Sequence, residues 1–228
     1  MTYPKMVKAP VSIGAAARYN VEDAKSIPKL FTLQDRYSEE FLMYEHDIHN
    51  QQYLIPRNCV PVGTYSINGV KSGMPYEWED GFVPRDPEQL RMVNESAALF
   101  KDQFYGGHIM RARTGYGKTY LGSAVIQRVG LRALVITTKE DIVDDWKVAL
   151  SKTLNIDPSL VGEWRGDIVP EPHHEVVVGL VQSVCKGYDR YPKELYESFG
   201  MVVVDEVQRM GAEKFGQAMW WQIGRAHV

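Results

Sequence analysis

The sequence predicts an α/β fold whose parallel sheet is covered by helices on both faces and preceded by a small α+β domain. From residue 89 onward, helical and strand-like hydrophobic patterns alternate at the spacing that favours parallel strands joined by helices. Two predicted strands also end in polar segments, a glycine-rich turn after Met110 and a pair of acids after Val204. Because ligands of such sheets bind at the carboxyl ends of the strands, both segments are expected at one edge.

Hydrophobic spacing assigns the elements of this sheet in chain order. Apolar residues recur at helical spacing in the predicted helices, and β-branched runs mark the predicted strands. A short apolar run at Ile109 and Met110 is predicted to be the strand that leads into the glycine-rich turn. Helices are predicted at 89–104, 121–129 and 142–154, and strands at 133–136, 175–181 and 202–204.

Two tryptophans receive different predictions. Trp146 falls on the apolar face of the helix at 142–154, so it is predicted to pack in the core. Residues 163–166, Glu-Trp-Arg-Gly, are predicted to form a surface loop. Stacking of Trp164 and Arg165 on nucleic-acid bases is the alternative for that loop.

Residues 1–80 form a separate predicted unit, a small α+β accessory domain for which DNA binding is one candidate role. This segment contains six prolines, the hairpin signal Asn68-Gly69 and an apolar patch at 24–34. Short strands are predicted at 53–57 and 60–67. Residues 74–87 are predicted to be a linker, because they are rich in proline, glycine and acids.

The composition of the chain bears on its class of partner and on its cellular setting. The formal net charge of −3 and the pI of about 6.1 lack the overall basic character of many nucleic-acid-binding proteins, although a local basic groove is compatible with them. Cys59 and Cys185 are the only two cysteines, which predicts a reducing, cytoplasmic setting. No apolar run approaches the length of a membrane span, so no membrane partner is expected.

Residues 112–119 read Ala-Arg-Thr-Gly-Tyr-Gly-Lys-Thr. The glycines let the backbone aim several N–H groups at one anion, and the following helix adds its positive end. Such a loop binds nucleotide phosphates, with the lysine on the β- and γ-phosphates and the hydroxyl on Mg²⁺. The predicted cofactors are therefore ATP and Mg²⁺, and the predicted binding residues here are Thr114, Gly115, Tyr116, Gly117, Lys118 and Thr119.

The acids at the end of the strand 202–204 complete the predicted site. Asp205 is expected to hold Mg²⁺ together with Thr119, and Glu206 to polarise the attacking water. The separation of 205 − 118 = 87 positions from Lys118 leaves room for two or more intervening βα units. The predicted catalytic residues are Lys118, Asp205 and Glu206. A simple helix cap with a first-turn acid is the alternative for the acidic pair.

The last six residues, 223–228, back-translate as ATC GGA AGA GCA CAC GTC, which resembles a common short-read sequencing adapter. The preceding adapter bases, AG, would complete a CAG codon for Gln222. We therefore expect these six residues to be foreign and the native protein to continue beyond Gln222, so they are left out of the fold prediction. A genuine tail is the alternative.

Residues 82–222 resemble the first RecA-like lobe of a superfamily 2 DNA helicase. Residues 112–119 resemble motif I of that superfamily, which begins with alanine, and 135–146 resemble motif Ia. Residues 179–183 resemble its Thr-x-Gln-Ser element, and 205–208 resemble motif II. The combination is similar to phage-encoded recombination and repair helicases, which often carry a small N-terminal domain.

This resemblance implies further site residues. Gln89 matches an upstream glutamine that reads adenine, although this chain has one extra residue in that pattern. Gln208 replaces the His or Asp that couples the ATP and DNA sites in relatives, so altered coupling is expected. The residues implied to contact the nucleic-acid strand are Thr137, Thr138, Lys139, Gln182 and Ser183. Helix capping is the alternative for the first three, and a simple turn for the last two.

The resemblance implies an ATP-dependent DNA helicase or translocase that binds double- or single-stranded DNA, in the host cytoplasm if phage-encoded. ATP would bind between this lobe, 81–222, and a second lobe that is missing from the chain and supplies an arginine finger. Because such a finger contributes about 10³–10⁵ in rate, this fragment alone is expected to be inactive. The alternatives are the translocase subunit of a restriction system and a non-catalytic nucleic-acid-binding fragment.

Overall fold

The computed structural model describes residues 12–13, 16–34, 40–42, 45–56, 75–102, 108–186 and 190–207. They belong to two compact units, one within residues 1–70 and the other within 71–218. The described strands are β1 (Ser12–Ile13), β2 (Ala16–Asn20), β3 (Thr32–Gln34), β4 (Glu40–Leu42), β5 (Glu45–Asp47), β6 (Gln52–Pro56), β7 (Ala133–Thr137), β8 (Val161–Trp164), β9 (Val176–Leu180) and β10 (Met201–Val204). The described helices are α1 (Ile27–Phe31), α2 (Pro87–Asp102), α3 (Lys118–Val129), α4 (Glu140–Leu154), α5 (Val181–Val184) and α6 (Lys193–Glu197).

The second unit is built on a four-stranded sheet in the order β10-β7-β9-β8, and all three strand pairs are parallel. Every residue of β7 and β9 is buried, as expected for strands that helices cover on both faces. The predicted α/β class is therefore confirmed. Parallel pairing also brings the carboxyl ends of all four strands to one edge, where the site residues are expected.

Three helices of this unit, α2, α3 and α4, lie at the positions predicted from hydrophobic spacing. α3 packs against α2 and α4, and α4 also contacts β8 and β9. α4 buries Val143, Trp146 and Leu150, the apolar face that the sequence predicts. α3 ends at Gly130 with φ of 69°, a left-handed cap that glycine adopts without a steric penalty. The hydrophobic periodicity thus identified these three helices.

The predicted surface loop at 163–166 is wrong for its tryptophan. Trp164 ends strand β8 and is fully buried. Its ring packs against Tyr191, Tyr196 and Phe199, with ring centroids 5.0, 5.0 and 6.5 Å away. These partners come from a later part of the chain. The local sequence at 163–166 therefore did not reveal the strand. Base stacking by Trp164 is therefore excluded.

The predicted strand at Ile109 and Met110 is also absent from the structure. Residues 108–113 have no regular secondary structure, and the side chain of Ile109 is 75% exposed. A strand is defined by ladder hydrogen bonds to a neighbour, and two apolar residues alone do not supply one. The glycine-rich loop is consequently entered from an irregular segment.

Residues 75–86, within the predicted linker, lie against the second unit. Tyr76 N–H donates to Gly130 O at 2.9 Å, and Gly81 N–H donates to Thr153 O at 3.0 Å. The indole of Trp78 donates to a carboxylate oxygen of Glu175 at 2.5 Å. These bonds connect the segment to the ends of α3 and α4 and to the start of β9, so it is an integral part of this unit.

The described part of the first unit contains an antiparallel sheet in the order β1-β2-β6-β5 and a two-stranded pair, β3-β4. β6 confirms the strand predicted at 53–57, and the apolar patch at 24–34 contains α1 and β3. The strand predicted at 60–67 and the turn at Asn68-Gly69 lie outside the described residues. Among the described residues, no helix has the length and apolarity needed to cross a membrane.

We expect Gly81→Ala to destabilise the protein by about 1–3 kcal/mol, because a Cβ there would lie 2.2 Å from the carbonyl oxygen of Lys152. Backbone atoms of α4 form this contact, so it does not relax by a side-chain rotation. Thermal unfolding of the full chain measures the effect. Val83→Ala, at a side chain 87% exposed in the same segment, is the control and is expected to change stability by less than about 0.5 kcal/mol. Equal melting temperatures for the two variants would contradict the packing argument.

Candidate nucleotide-binding site

The glycine-rich loop has the backbone conformation that a phosphate-binding loop requires. Gly115 and Gly117 have φ of 73° and 80°, in the left-handed region that other residues occupy only at a steric cost. No described residue lies within 4 Å of the position where a Cβ of Gly115 would be, so the described part of the structure leaves the loop open on that side. The two glycines therefore turn the chain tightly while leaving space for an anion.

Helix α3 begins directly after this loop. Gly117 is the N-cap residue, and no side-chain hydrogen bond from a described residue caps the helix. The first turn contains no acidic residue, so the positive end of the helix dipole is not neutralised within its own turn. The side chain of Lys118 is exposed and that of Thr119 is half-buried. Backbone N–H groups, a lysine ammonium and a hydroxyl thus meet at one helix end, which suits a nucleotide phosphate.

Hydrogen bonds from Gln89 hold the glycine-rich loop in place. The side chain of Gln89 is buried, and its Nε2 donates to the carbonyl oxygen of Tyr116 at 2.8 Å. Its Oε1 accepts from the backbone N–H of Arg85 at 2.8 Å. Both ends of the amide are therefore engaged within the protein, with one N–H and one lone pair remaining for a base. Gln89 therefore lies beside the loop and supports it, and its contact with adenine stays a prediction.

Tyr116 connects the loop to the residues that precede α2. Its side chain is buried, and its hydroxyl donates to Asp86 Oδ1 at 2.8 Å. The guanidinium carbons of Arg85 and Arg113 lie 5.0 and 5.2 Å from the ring centroid, a distance typical of cation–π contacts. The Gln89 backbone N–H, and then the Tyr116 hydroxyl, lower the pKa of the Asp86 carboxyl. Sequence reasoning assigned Tyr116 to the cofactor and missed this anchoring role of its side chain.

The acidic pair follows β10 at the carboxyl edge of the sheet. Asp205 N–H donates to Ile136 O at 2.8 Å, which continues the β10–β7 pairing to the start of the turn. The next residue, Glu206, has φ of 57°, a strained value for a residue with a Cβ. Such strain clusters at functional sites, where the surrounding structure maintains it. The Glu206 N–H donates to Asp205 Oδ1 at 2.9 Å, which orients the Asp205 carboxylate.

Trp146 links the acidic pair to the helix that follows the loop. Its indole Nε1 donates to Asp205 Oδ2 at 2.9 Å. On its other side the ring lies against Gly122 of α3, one turn after Thr119; a Cβ on Gly122 would lie 2.6 Å from a ring carbon. The prediction that Trp146 packs in the core is confirmed, since it is 2% exposed. The hydrogen bond to Asp205 was missed, because no local pattern indicates it.

The donor groups of this edge fit a magnesium ion. Mg²⁺ prefers oxygen ligands and is usually held by one or two carboxylates together with substrate phosphates. Asp205 supplies a carboxylate whose two oxygens each accept one protein hydrogen bond, and Thr119 supplies a hydroxyl at the start of α3. Both of these ligands are oxygen atoms, whereas soft metals favour the sulfur atoms of cysteine and methionine.

The residues predicted to contact nucleic acid after β7 divide into two kinds. Thr137 is fully buried, whereas Lys139 is exposed and is the N-cap residue of α4. Within the described part of the chain no side-chain hydrogen bond caps α4, so these threonines do not act as its cap there. The hydroxyls of Thr137 and Thr138 are buried and have no hydrogen-bond partner among the described residues. Thr138 and Lys139 are thus the members of this group nearest to solvent.

The residues predicted after β9 also divide. Gln182 is exposed, and its Nε2 lies 3.5 Å from the carbonyl oxygen of Thr138. Ser183 is 3% exposed, and its hydroxyl accepts from the Gly166 N–H at 2.8 Å. Ser183 therefore holds the turn after β8, and its hydroxyl is not available at the surface. Gln208, the predicted coupling residue, lies outside the described residues.

The fold and the motif positions define the first RecA-like lobe of a superfamily 2 helicase, and comparison with known proteins gives the family. The ResIII family, described as "Type III restriction enzyme, res subunit", matches residues 83–226. Because this match covers more than half of the 228 residues, the chain belongs to that family. The resemblance to the first lobe of a superfamily 2 helicase is confirmed.

Individual relatives cover parts of the chain. A probable helicase of Escherichia phage T5 is 32% identical over 107 residues, which are 47% of this chain and 22% of that protein. A protein of Acanthamoeba polyphaga mimivirus that is named as an ATP-dependent RNA helicase is 32% identical over 110 residues, which are 48% of this chain and 20% of that protein. The DNA 3'-5' helicase XPB of Mycobacterium tuberculosis is 25% identical over 159 residues, 64% of this chain and 28% of that protein. The chain therefore matches between 20% and 28% of the lengths of these relatives.

A solved structure shares the fold. The UvsW helicase of bacteriophage T4 superimposes with a TM-score of 0.57 at 15% sequence identity, over 89% of this chain and 83% of that chain. This similarity supports the RecA-like arrangement of the sheet.

We expect Tyr116→Phe to raise the pKa of Asp86 toward its ordinary value, because the hydroxyl that donates to the carboxylate is lost. A lowered pKa in the folded state means that this carboxylate contributes stability above its unfolded pKa of about 4. The contribution is lost as the pH falls through the folded pKa, so in the variant the loss begins at a higher pH. Carboxyl ¹³C NMR titration measures the pKa.

Tyr120→Phe is the matched control for this titration, since Tyr120 is 43% exposed on α3. It is expected to leave the Asp86 pKa unchanged. An Asp86 pKa that is equally low in Tyr116→Phe and the native chain would show that the hydroxyl bond does not form in solution.

Proposed function

We propose that this chain carries the nucleotide-binding lobe of an ATP-dependent DNA helicase or translocase. The observation that carries the proposal is the position of Trp146, which contacts α3 directly after the glycine-rich loop and also Asp205 at the end of β10. One rigid ring thereby joins the element that would hold the phosphates to the carboxylate that would hold the metal. A glycine-rich turn without a ligand would not require this connection.

Each residue of the site has a defined role in the proposal. Backbone N–H groups of the loop and the ammonium of Lys118 bind the phosphates, while Thr119 and Asp205 hold Mg²⁺, which neutralises charge on the phosphates when bound. Glu206 orients the attacking water and accepts its proton. Gln89 contacts the adenine through the N–H and the lone pair that its internal hydrogen bonds leave unused.

The nucleic acid in this proposal is DNA, held along the carboxyl edge of the sheet by the exposed side chains of Lys139 and Gln182. Contacts of a lysine and of polar side chains with phosphates position a strand without reading its sequence. The bacterial relative that is named a DNA helicase supports DNA, and the mimivirus relative with an RNA-helicase name makes RNA the outcome to test. In the proposal, Gln208 couples this strand to the ATP site, and a second lobe outside the chain completes the cleft.

The translocase subunit of a restriction system is the second candidate. The description of the matched family favours it directly. Both candidates use the same nucleotide site, and they differ in what is joined to it. A nuclease domain encoded downstream would identify the restriction system.

We expect Lys118→Ala to weaken binding of Mg²⁺–ATP by about ten- to a hundredfold, because a charge-assisted bond to phosphate is lost. Isothermal titration of the full chain measures this. Binding is the readout, because the proposal assigns the arginine finger to a second lobe and expects negligible turnover without it. Lys152→Ala, at an exposed lysine in the last turn of α4, is the control and should bind ATP as the native chain does. Equal ATP affinity of Lys118→Ala and the native chain would refute the assignment of the loop.

We expect Lys139→Ala to weaken binding to single-stranded DNA uniformly across sequences and to reduce the salt dependence of binding by about one ion. Fluorescence anisotropy at several salt concentrations measures both, and Lys152→Ala again serves as the control. The same titration with RNA decides the type of strand. If Lys139→Ala leaves the salt dependence of DNA binding unchanged, this edge of the sheet is not part of the interface.

A further inference from the structure

We propose that Trp146 is a positioning residue for magnesium binding. Its indole holds the Asp205 carboxylate in a fixed position relative to helix α3. This inference rests on the proposed role of Asp205 as a magnesium ligand. It assigns to a buried tryptophan a function beyond packing, because its indole N–H acts on the reacting site through Asp205.

The first step of the argument is the geometry of the carboxylate. Asp205 Oδ2 accepts from the Trp146 indole at 2.9 Å, and Oδ1 accepts from the Glu206 N–H at 2.9 Å. Two donors from different directions fix the rotation of the carboxyl group about its bond to Cβ. Each oxygen keeps a further lone pair, so the carboxylate is oriented and still able to bind a cation or its water ligands.

The second step is the position of the ring. Trp146 is 2% exposed, and its six-membered ring lies against the Cα of Gly122, where a Cβ would be 2.6 Å from one ring carbon and 3.3 Å from another. Only glycine leaves room for this approach between α3 and α4. Because an indole is rigid, its hydrogen-bonding end is fixed relative to the helix that its other end touches.

The third step joins the two contacts. Thr119 lies one turn before Gly122 on the same helix, so the ring fixes the distance between the helix that carries one proposed magnesium ligand and the carboxylate that is the other. Mg²⁺ demands near-ideal octahedral geometry, so a small displacement of one ligand weakens binding. Hydrogen-bond partners of metal ligands typically change metal affinity by about 10–100-fold when removed.

The chain contains a matched control for the indole N–H. Trp164 is also fully buried, and it ends β8 at the opposite edge of the sheet from β10. Its Nε1 has no hydrogen-bond partner among the described residues. Replacing either tryptophan by phenylalanine removes the same atoms from the core, but only Trp146→Phe removes a bond to Asp205.

The test is ATP binding to the full chain, measured by titration with saturating Mg²⁺ and with EDTA. We expect Trp146→Phe to reduce the enhancement of ATP affinity by Mg²⁺ by about tenfold and to leave the affinity in EDTA unchanged. Trp164→Phe should retain the native enhancement. If Trp146→Phe keeps the native enhancement, or if both variants lose it equally, the inference is overturned.

Asp205→Asn separates this inference from the proposed function. If Asp205→Asn leaves the Mg²⁺ enhancement intact, the magnesium role of Asp205 is wrong and the proposed site fails. If Asp205→Asn abolishes the enhancement and Trp146→Phe does not, the role of Trp146 alone is wrong. In the double variant, Trp146→Phe with Asp205→Asn, we expect the Mg²⁺ enhancement of ATP affinity to be the same as in Asp205→Asn alone, because both changes act through the same carboxylate.

A measurement on the native chain guards against variants that fail to fold. The chain has five tryptophans, so ¹⁵N labelling of tryptophan gives five indole N–H resonances. We expect addition of Mg²⁺–ADP to shift the Trp146 indole resonance and to leave the Trp164 resonance in place, with ADP in EDTA producing a smaller shift of Trp146. A Trp146 resonance that responds no more than that of Trp164 contradicts the inference.

Discussion

The burial of β7 and β9 on both faces is the constraint on which the rest of the site depends. Strands covered on both sides cannot present polar groups on a face without leaving those groups desolvated. Polar side chains can therefore be accommodated only where the strands end. Because all strand pairs of this sheet are parallel, their carboxyl ends share one edge, and the acidic pair, Lys139 and Gln182 follow those ends. The chemistry of the lobe is concentrated there as a consequence of how its core is covered.

Two hydrogen-bond systems then convert this edge into a defined site. In one, Gln89, Asp86 and Tyr116 hold the glycine-rich loop through hydrogen bonds. In the other, the Trp146 indole connects Asp205 to the helix that begins at the loop. Both systems join residues distant in the sequence, and both use buried side chains, in which hydrogen bonds are costly to break. The loop and the carboxylate are thereby oriented by the protein before any ligand arrives.

Sequence reasoning was wrong or incomplete where contacts between separate segments decide the structure. Trp164 looked like part of a surface loop because Gly162 and Gly166 interrupt its neighbourhood, yet aromatic rings from residues 191–199 bury it completely. Ser183 looked like a contact for nucleic acid because it stands in a motif, yet its hydroxyl holds the turn at Gly166. The apolar pair at Ile109 and Met110 looked like a strand, yet residues 108–113 have no regular secondary structure. For Trp164 and Ser183 the decisive partner lies in another segment of the chain, and local patterns carry no record of it.

The sequence by itself determined the class of the fold, the positions of its three long helices and of the strands β7, β9 and β10, and the positions of the loop and the acidic pair. These features follow from hydrophobic period and from glycine and carboxylate placement, which are local properties that a single chain displays directly. Only the tertiary structure decided which surfaces those residues share: Trp146 on Asp205, Gln89 on the loop, and Ser183 in the interior. Such pairings depend on packing between distant segments, whose energy is set by shape and burial in the assembled core and not by any local pattern.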